Sequence, residues 1–186
     1  MRWVSISALL KLTVLSLVMA PMLLLAPAAD ARQVAITSLP FEYSDGDQIP
    51  GVVDTLYIQG TKLTSATRGI DLNSVRDLVL NLGSDTVVFG TGGGEGHYGL
   101  DINGPVSDRP RNVKIVGGYI LHQPSDTTAA NCRGVRLNGH EITMEGTRVE
   151  IRGIDGKALI TGGTNIYNVT VRDCEFASYV TAFYRR

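Results

Sequence analysis

After residue 32 the apolar side chains fall at every second position, as in Ile70 and Leu72, Leu100 and Ile102, and Val135 and Leu137, each pair flanking one polar residue. A period of two in aliphatic and β-branched residues is the mark of a strand, and no later stretch sustains the 3.6-residue period of a helix. The three pairs sit in one recurring phrase: Gly69-Ile70-Asp71-Leu72-Asn73, Gly99-Leu100-Asp101-Ile102-Asn103 and Gly134-Val135-Arg136-Leu137-Asn138. The spacings are 30 (99 minus 69) and 35 (134 minus 99) residues, too long for a hairpin and suited to a structural repeat. A second alternation follows each phrase: Leu78, Leu80 and Leu82, then Val113 and Ile115, then Ile142 and Met144. A third strand comes seven residues on, from Val113 to Ile120, Ile142 to Val149 and Val169 to Phe176. Between them lie turn residues, Gly117-Gly118, Glu145-Gly146 and Arg172-Asp173. A fourth coil opens at Ala158-Leu159-Ile160-Thr161-Gly162, with Thr161 in the place of the asparagine.

Three short strands per repeat that all turn the same way pair with their equivalents one repeat on, giving three parallel sheets around a narrow core. At the usual strand spacing of about 4.8 Å, Ile70, Leu100 and Val135 then form one interior column and Leu72, Ile102 and Leu137 another. Asn73, Asn103 and Asn138 stack at the end of the first strand. Asparagine tolerates a left-handed backbone and its amide bonds readily to a neighbour, so these three are expected to form a structural ladder along a sharp turn.

Phrases such as Asn112-Val113-Lys114-Ile115-Val116-Gly117-Gly118-Tyr119-Ile120 and Asn168-Val169-Thr170-Val171-Arg172-Asp173-Cys174-Glu175-Phe176 resemble the right-handed parallel β-helix superfamily that includes pectate lyases and polygalacturonases. The resemblance covers roughly residues 55–180. It implies an all-β, right-handed parallel β-helix solenoid of four to five coils with three short strands each. It does not select an activity, because such phrases arise from core packing and recur in lyases, hydrolases, epimerases, adhesins and phage spikes.

The near-neutral balance of 17 basic and 18 acidic residues excludes a polycationic nucleic-acid binder, and 44% hydrophobic content is enough for one packed domain. Part of that content belongs to the N-terminus. Arg2 and Lys11 precede an apolar run from Leu12 to Leu25, and Ala29-Asp30-Ala31 supplies the small residues of a cleavage site. Residues 1–31 are therefore read as a cleavable signal peptide, with a mature chain starting near Arg32; an uncleaved anchor is the alternative. The expected destination is secreted, periplasmic or cell-surface, with membrane contact only through the signal peptide.

Export permits a disulfide, and Cys132 and Cys174 are either bridged or two separate thiols. Asn168-Val169-Thr170 has the form of a glycosylation sequon, although its place in a strand favours a structural reading. Segment 32–54, with Pro40, Asp45-Gly46-Asp47 and Pro50, reads as an N-terminal cover ahead of the first clear strand, Leu56-Tyr57-Ile58. Residues 55–186 are assigned to the β-helix. The chain ends just as a fifth coil opens, so it is read as the N-terminal piece of a longer protein.

In the superfamily that the chain resembles, ligands lie along an outer sheet face edged by loops. Two long insertions, 91–97 and 123–133, are expected to project from one edge. Beside them the outward positions of the first strand are Asp71, Asp101 and Arg136, with Glu95, His97, Asp126 and Arg133 placed to overhang. Adjacent carboxylates could hold calcium, and calcium with arginine could neutralise a uronate and the charge formed when its C5 proton leaves. A carboxylic acid pair could instead serve glycoside hydrolysis, although one coil is a shorter separation than that chemistry uses. The plain alternative is a surface ion-pair ladder.

The enzyme motifs of the superfamily are missing: there is no Asn-Thr-Asp triplet, paired aspartate, Gly-His-Gly or Arg-Ile-Lys. Gly139-His140-Glu141 is not the third of these. Arg109-Pro110-Arg111, in a polar turn, is a poor match to the lyase arginine-proline segment. The glycine run 92–96 lacks the lysine of a phosphate loop, and His97, His122 and His140 lack zinc-ligand spacing. The catalytic residues are left unassigned. The expectation is an exported protein that binds or degrades an extracellular polysaccharide, a uronate lyase or glycoside hydrolase if an enzyme. The alternative is a non-catalytic surface or adhesin-like module.

Overall fold

The computed structural model describes residues 31–125, 130–153, 155–162, 166–178 and 181–185, the last group by backbone only. The expected signal peptide, apart from Ala31, lies outside the described residues. The repeated alternation is realised as fifteen strands: β1 (Ala31–Ile36), β2 (Phe41–Ser44), β3 (Val53–Ile58), β4 (Lys62–Thr64), β5 (Ile70–Asn73), β6 (Arg76–Phe89), β7 (Tyr98–Asn103), β8 (Arg111–His122), β9 (Arg133–Leu137), β10 (His140–Glu145), β11 (Arg148–Ile151), β12 (Lys157–Thr161), β13 (Tyr167–Arg172), β14 (Glu175–Ser178) and β15 (Thr181–Arg185). The described residues contain no α-helix, only a 3-10 turn at Asp45–Asp47.

Every strand pairing is parallel, and the partner is the equivalent strand of the next repeat. One sheet runs β15-β12-β9-β7-β5-β2. The other runs β1-β3-β6-β8-β10-β13, with β4 on the second half of β6, and with β11 on the second half of β8 and β14 beyond it. The long strands β6 and β8 thus each serve two strand stacks. An all-β chain of this parallel order is compatible with a β-helix-like fold.

The core follows from the register. Ile70 pairs with Leu100 and Leu100 with Val135, while Leu72 pairs with Ile102 and Ile102 with Leu137, as the repeat predicts. All six are essentially inaccessible. From the other stacks come Leu78, Val113 and Ile142, and Val87, Ile120 and Val149, also buried. Each such side chain contributes about 1.5–3 kcal/mol on burial, which offsets the ordering of short strands that make no hairpins.

The seven-residue step holds from β8 onward. In β6 it is nine (87 minus 78), because the register with β8 shifts twice between Asn81 and Thr86. Segment 32–54, expected as a cover, carries β1, β2 and the start of β3, and these strands continue the two sheets. Phe41-Glu42-Tyr43 of β2 pairs with Ile70-Asp71-Leu72 and is one more copy of the first-strand phrase, written without its glycine and asparagine.

The asparagine ladder is only partly formed. The Asn103 and Asn138 side chains meet at 2.9 Å, whereas Asn73 accepts from the Ser74 hydroxyl at 3.3 Å. None of the three has a left-handed backbone. That conformation belongs instead to Asp77, Asn112, Glu141 and Asn168, with φ of 48°, 53°, 54° and 56°, at equivalent positions near the starts of β6, β8, β10 and β13. There Asn112 Nδ2 donates to Asp77 Oδ1 at 2.6 Å. The position common to all four layers is one residue into the second strand; the first layer adds a left-handed residue just past the end of the first strand, Ser74 with φ 57°.

Candidate functional site

The outer face of the β2-β5-β7-β9-β12 sheet carries the predicted column. Glu42 pairs with Asp71, Asp71 with Asp101 and Asp101 with Arg136, because each stands between two core residues of its own strand. Arg136 closes on Asp101 with both ends of its guanidinium. Nε donates to Oδ1 at 2.6 Å and Nη2 donates to Oδ2. Asp101 is nearly buried, with 7% exposure. Burial opposes the charge of Arg136, but the bonds from Asp101 outweigh it and hold the guanidinium above its ordinary pKa. Burial, then repulsion from Asp101 and Glu42, lifts the Asp71 carboxyl above the usual range, and Arg68 and Arg136 offset only part of this.

An aromatic ring completes the cluster. Tyr98 opens β7 directly opposite Arg133 of β9. The Arg136 guanidinium carbon lies 4.4 Å from the Tyr98 ring centre and that of Arg133 lies 5.2 Å away. Arg133 Nη1 also donates to the Tyr98 hydroxyl, while its Nε is buried without a hydrogen-bond partner. Pairing Tyr98 with Arg136 neutralises little charge but fixes both planar groups on the sheet. The sequence reading named Arg133 as an overhanging residue and missed Tyr98 and Glu42. The signals were present: Tyr98 immediately precedes the second repeat phrase, and Glu42 stands between two aromatics as Asp71 stands between two aliphatics.

The two insertions adjoin where they are described. Gly96 N donates to Ala130 O at 3.3 Å and Arg133 N donates to His97 O at 2.8 Å. Asp126 lies outside the described residues. Glu95 and His97 belong to a different neighbourhood from the aspartates. The His97 ring contacts Gly93 O through Nε2 at 3.0 Å and lies near His122, and Glu95 is exposed and acts on Cys132. Cys132 and Cys174 are separate thiols, the first against Gly94 and Ala130 carbonyls, the second against those of Met144 and Arg172.

Calcium does not fit the aspartate column. Both Asp101 oxygens already receive guanidinium nitrogens, and Arg136 would repel a cation beside them. Among the described residues no three histidine, cysteine, aspartate or glutamate side chains are grouped to hold a metal ion. Arg109 and Pro110, expected in a polar turn, are buried, and Arg109 donates to the Asn138 carbonyl at 3.4 Å.

Searches of protein-family models, of curated proteins and of solved structures find no match to this chain. Among the described residues no helix is long and apolar enough to cross a membrane.

Proposed function

We propose that the chain is a right-handed parallel β-helix, exported and of the pectate-lyase-like kind, whose outer Asp71–Asp101–Arg136 face binds an extracellular polysaccharide carrying acid groups. The observation that supports this reading is the Tyr98 ring set against Arg136 and Arg133 on a continuous parallel sheet. A parallel sheet in regular register suits an extended polymer. Guanidinium N–H groups not taken by Asp101 or Tyr98 would donate to a carboxylate, and the part of the ring that the arginines leave uncovered would offer an apolar face to a sugar. The face also changes sign along the stack, from Glu42, Asp71 and Asp101 on β2, β5 and β7 to Arg136 and Arg133 on β9. That polarity orients a chain with acid groups at the basic end and hydroxyls at the acidic end.

Binding is proposed ahead of catalysis because Asp101 is committed to Arg136 and, among the described residues, no second carboxylate is bonded into an acid–base pair with it. The closed pair favours, as a second reading, a non-catalytic surface module in which the face is a stack of ion pairs. Affinity electrophoresis through gels carrying uronate or neutral polysaccharides separates the readings. Retardation by the uronate gels, weakened about tenfold in Arg136→Gln and Tyr98→Ala, supports the binding face. No retardation by any gel, with the circular dichroism spectrum of a folded sheet protein, leaves the structural module. Appearance of an unsaturated, ultraviolet-absorbing product in the same mixtures would add a lyase activity.

A further inference from the structure

His122 ends β8 in complete burial, and neither ring nitrogen has a hydrogen-bond partner among the described residues. A neutral imidazole always carries one N–H, so this donor is left unsatisfied, an arrangement that costs about 1–3 kcal/mol and calls for an explanation. The ring is held by shape alone. Phe89 lies against it with centres 5.0 Å apart and planes tilted by 35°. Gly90 lies over it so closely that a β-carbon there would stand 2.6 Å from Cδ2 and Nε2. Gly90 begins the glycine-rich loop 90–97, in which Gly90, Gly93, Gly94 and Gly96 all have φ between 71° and 96°.

That loop is held to its neighbours by bonds that opening has to break. Thr91 N and Oγ1 both donate to Ser65 O, at 3.2 and 3.1 Å, and Arg133 N donates to His97 O at 2.8 Å. Gly90 N donates to Thr67 O at 2.9 Å, Gly92 N to Ala66 O at 3.0 Å and Gly96 N to Ala130 O at 3.3 Å, and His97 meets Gly93 O at 3.0 Å. It leads directly into Tyr98 at the start of β7. Phe89 at the end of β6, Gly90 just after it, and Ile151 opposite His122 on β11 bring no charge to the ring. His97 is the titratable group that acts on it, and with the same sign.

We infer that loop 90–97 is an acid-operated lid, in which protonation of buried His122 drives the imidazolium out past Gly90 and frees the segment that carries Tyr98. The protonated ring would hold two buried N–H groups with no acceptor and a second histidine nearby, so it gains water only by displacing the glycines above it. Burial, and then the charge of His97, hold the closed-state pKa down to about 4, against an ordinary value of 6.5. A depressed histidine pKa means that the closed state binds fewer protons than the open one. Its advantage is therefore complete above about pH 6.5 and falls up to tenfold per pH unit from there to about pH 4. The inference does not depend on what the outer face binds.

Hydrogen exchange of the full chain, read by mass spectrometry and corrected for intrinsic rates, tests it at roughly pH 7 and pH 4.5. The expected result is a selective loss of protection in 90–98 on acidification, absent in His122→Gln and retained in His97→Gln. Equal protection at both pH values overturns the inference. So does acid opening that persists in His122→Gln or disappears in His97→Gln, which would move the switch to His97. If His122→Gln fails to fold, the wild-type histidine titration by NMR decides. A His122 midpoint at least one unit below the ordinary 6.5 is required, and a midpoint near the ordinary value overturns the lid.

Discussion

Gly99 meets the ring of Phe89 so closely that a β-carbon on it would stand 2.7 Å from Cε1. The same added carbon would collide with Ile120, and one on Gly134 would collide with Val149. The glycine that opens each repeat phrase therefore marks a corner where β7 or β9 passes directly over core side chains of the adjoining stack. Gly99→Ala is expected to lower stability by about 2–3 kcal/mol, measured by urea unfolding, because Phe89 and Ile120 are fully buried and have nowhere to move. Ala158 fills the equivalent place in β12 without exposure, so Ala158→Gly should cost only about 1 kcal/mol.

This corner shows what the sequence discloses and what it conceals. The columns Ile70–Leu100–Val135 and Leu72–Ile102–Leu137 were legible because a buried parallel stack imposes apolar residues at fixed register. The outward place of Asp71, Asp101 and Arg136 followed from the same parity. What was not legible depended on contacts between unlike stacks. The glycines answer to Phe89, Ile120 and Val149, residues far away in sequence. Strand β2 escaped because Phe41-Glu42-Tyr43 keeps only the alternation, and Pro40 beside it reads as loop. Tyr98 escaped because its partners, Arg133 and Arg136, meet it only once the intervening 35-residue repeat has brought β9 alongside β7.

The Asp101–Arg136 pair predicts an asymmetry between variants. Arg136→Ala leaves a nearly buried carboxylate beside Asp71 with no counter-charge, and should cost about 2–3 kcal/mol in urea unfolding at neutral pH. Arg148→Ala, on a more exposed pairing with Glu150, should cost under about 1 kcal/mol. Asp71 itself acts in the opposite sense. Its folded-state pKa is raised, so the folded form is favoured below the ordinary value of 3.8 and loses that advantage as pH rises through the folded pKa. Asp71→Asn should therefore stabilise the chain slightly at neutral pH, by on the order of 0.5 kcal/mol, and make no difference well below 3.8.

Glu141 holds a left-handed backbone, φ 54°, at the position where Asn112 and Asn168 stand in neighbouring layers. Glutamate has no short side-chain amide to support that conformation. Glu141→Asn or Glu141→Gly should raise stability by about 0.5–1 kcal/mol, visible as an increase in Tm, whereas Asn112→Ala should lower it by about 1 kcal/mol and remove the bond to Asp77.

At the other end of the pile, Asp54 is completely buried between Arg32, which donates from Nε at 2.7 Å and Nη2 at 2.8 Å, and the Tyr43 hydroxyl, which donates at 2.7 Å. Arg32 reaches on to the Asp47 carbonyl at 2.6 Å, so one guanidinium ties β1 and the 3-10 turn to β3. Burial works against the Asp54 charge, yet the bonds from Arg32 and Tyr43 prevail and hold its pKa below 3.8. Burial and the bond to Asp54 push the Tyr43 hydroxyl up to about 12. Because the folded-state pKa of Asp54 is depressed, its contribution is present above the ordinary value and is lost as pH falls through the folded pKa. Asp54→Asn should cost about 2–3 kcal/mol at neutral pH, and the gap from wild type should close in acid below 3.8. A chain begun at Gln33 removes the guanidinium that Asp54 depends on and should lose a similar amount. Urea unfolding of the two variants across that pH range checks both, and a gap that stays constant with pH would assign the loss to packing instead of charge.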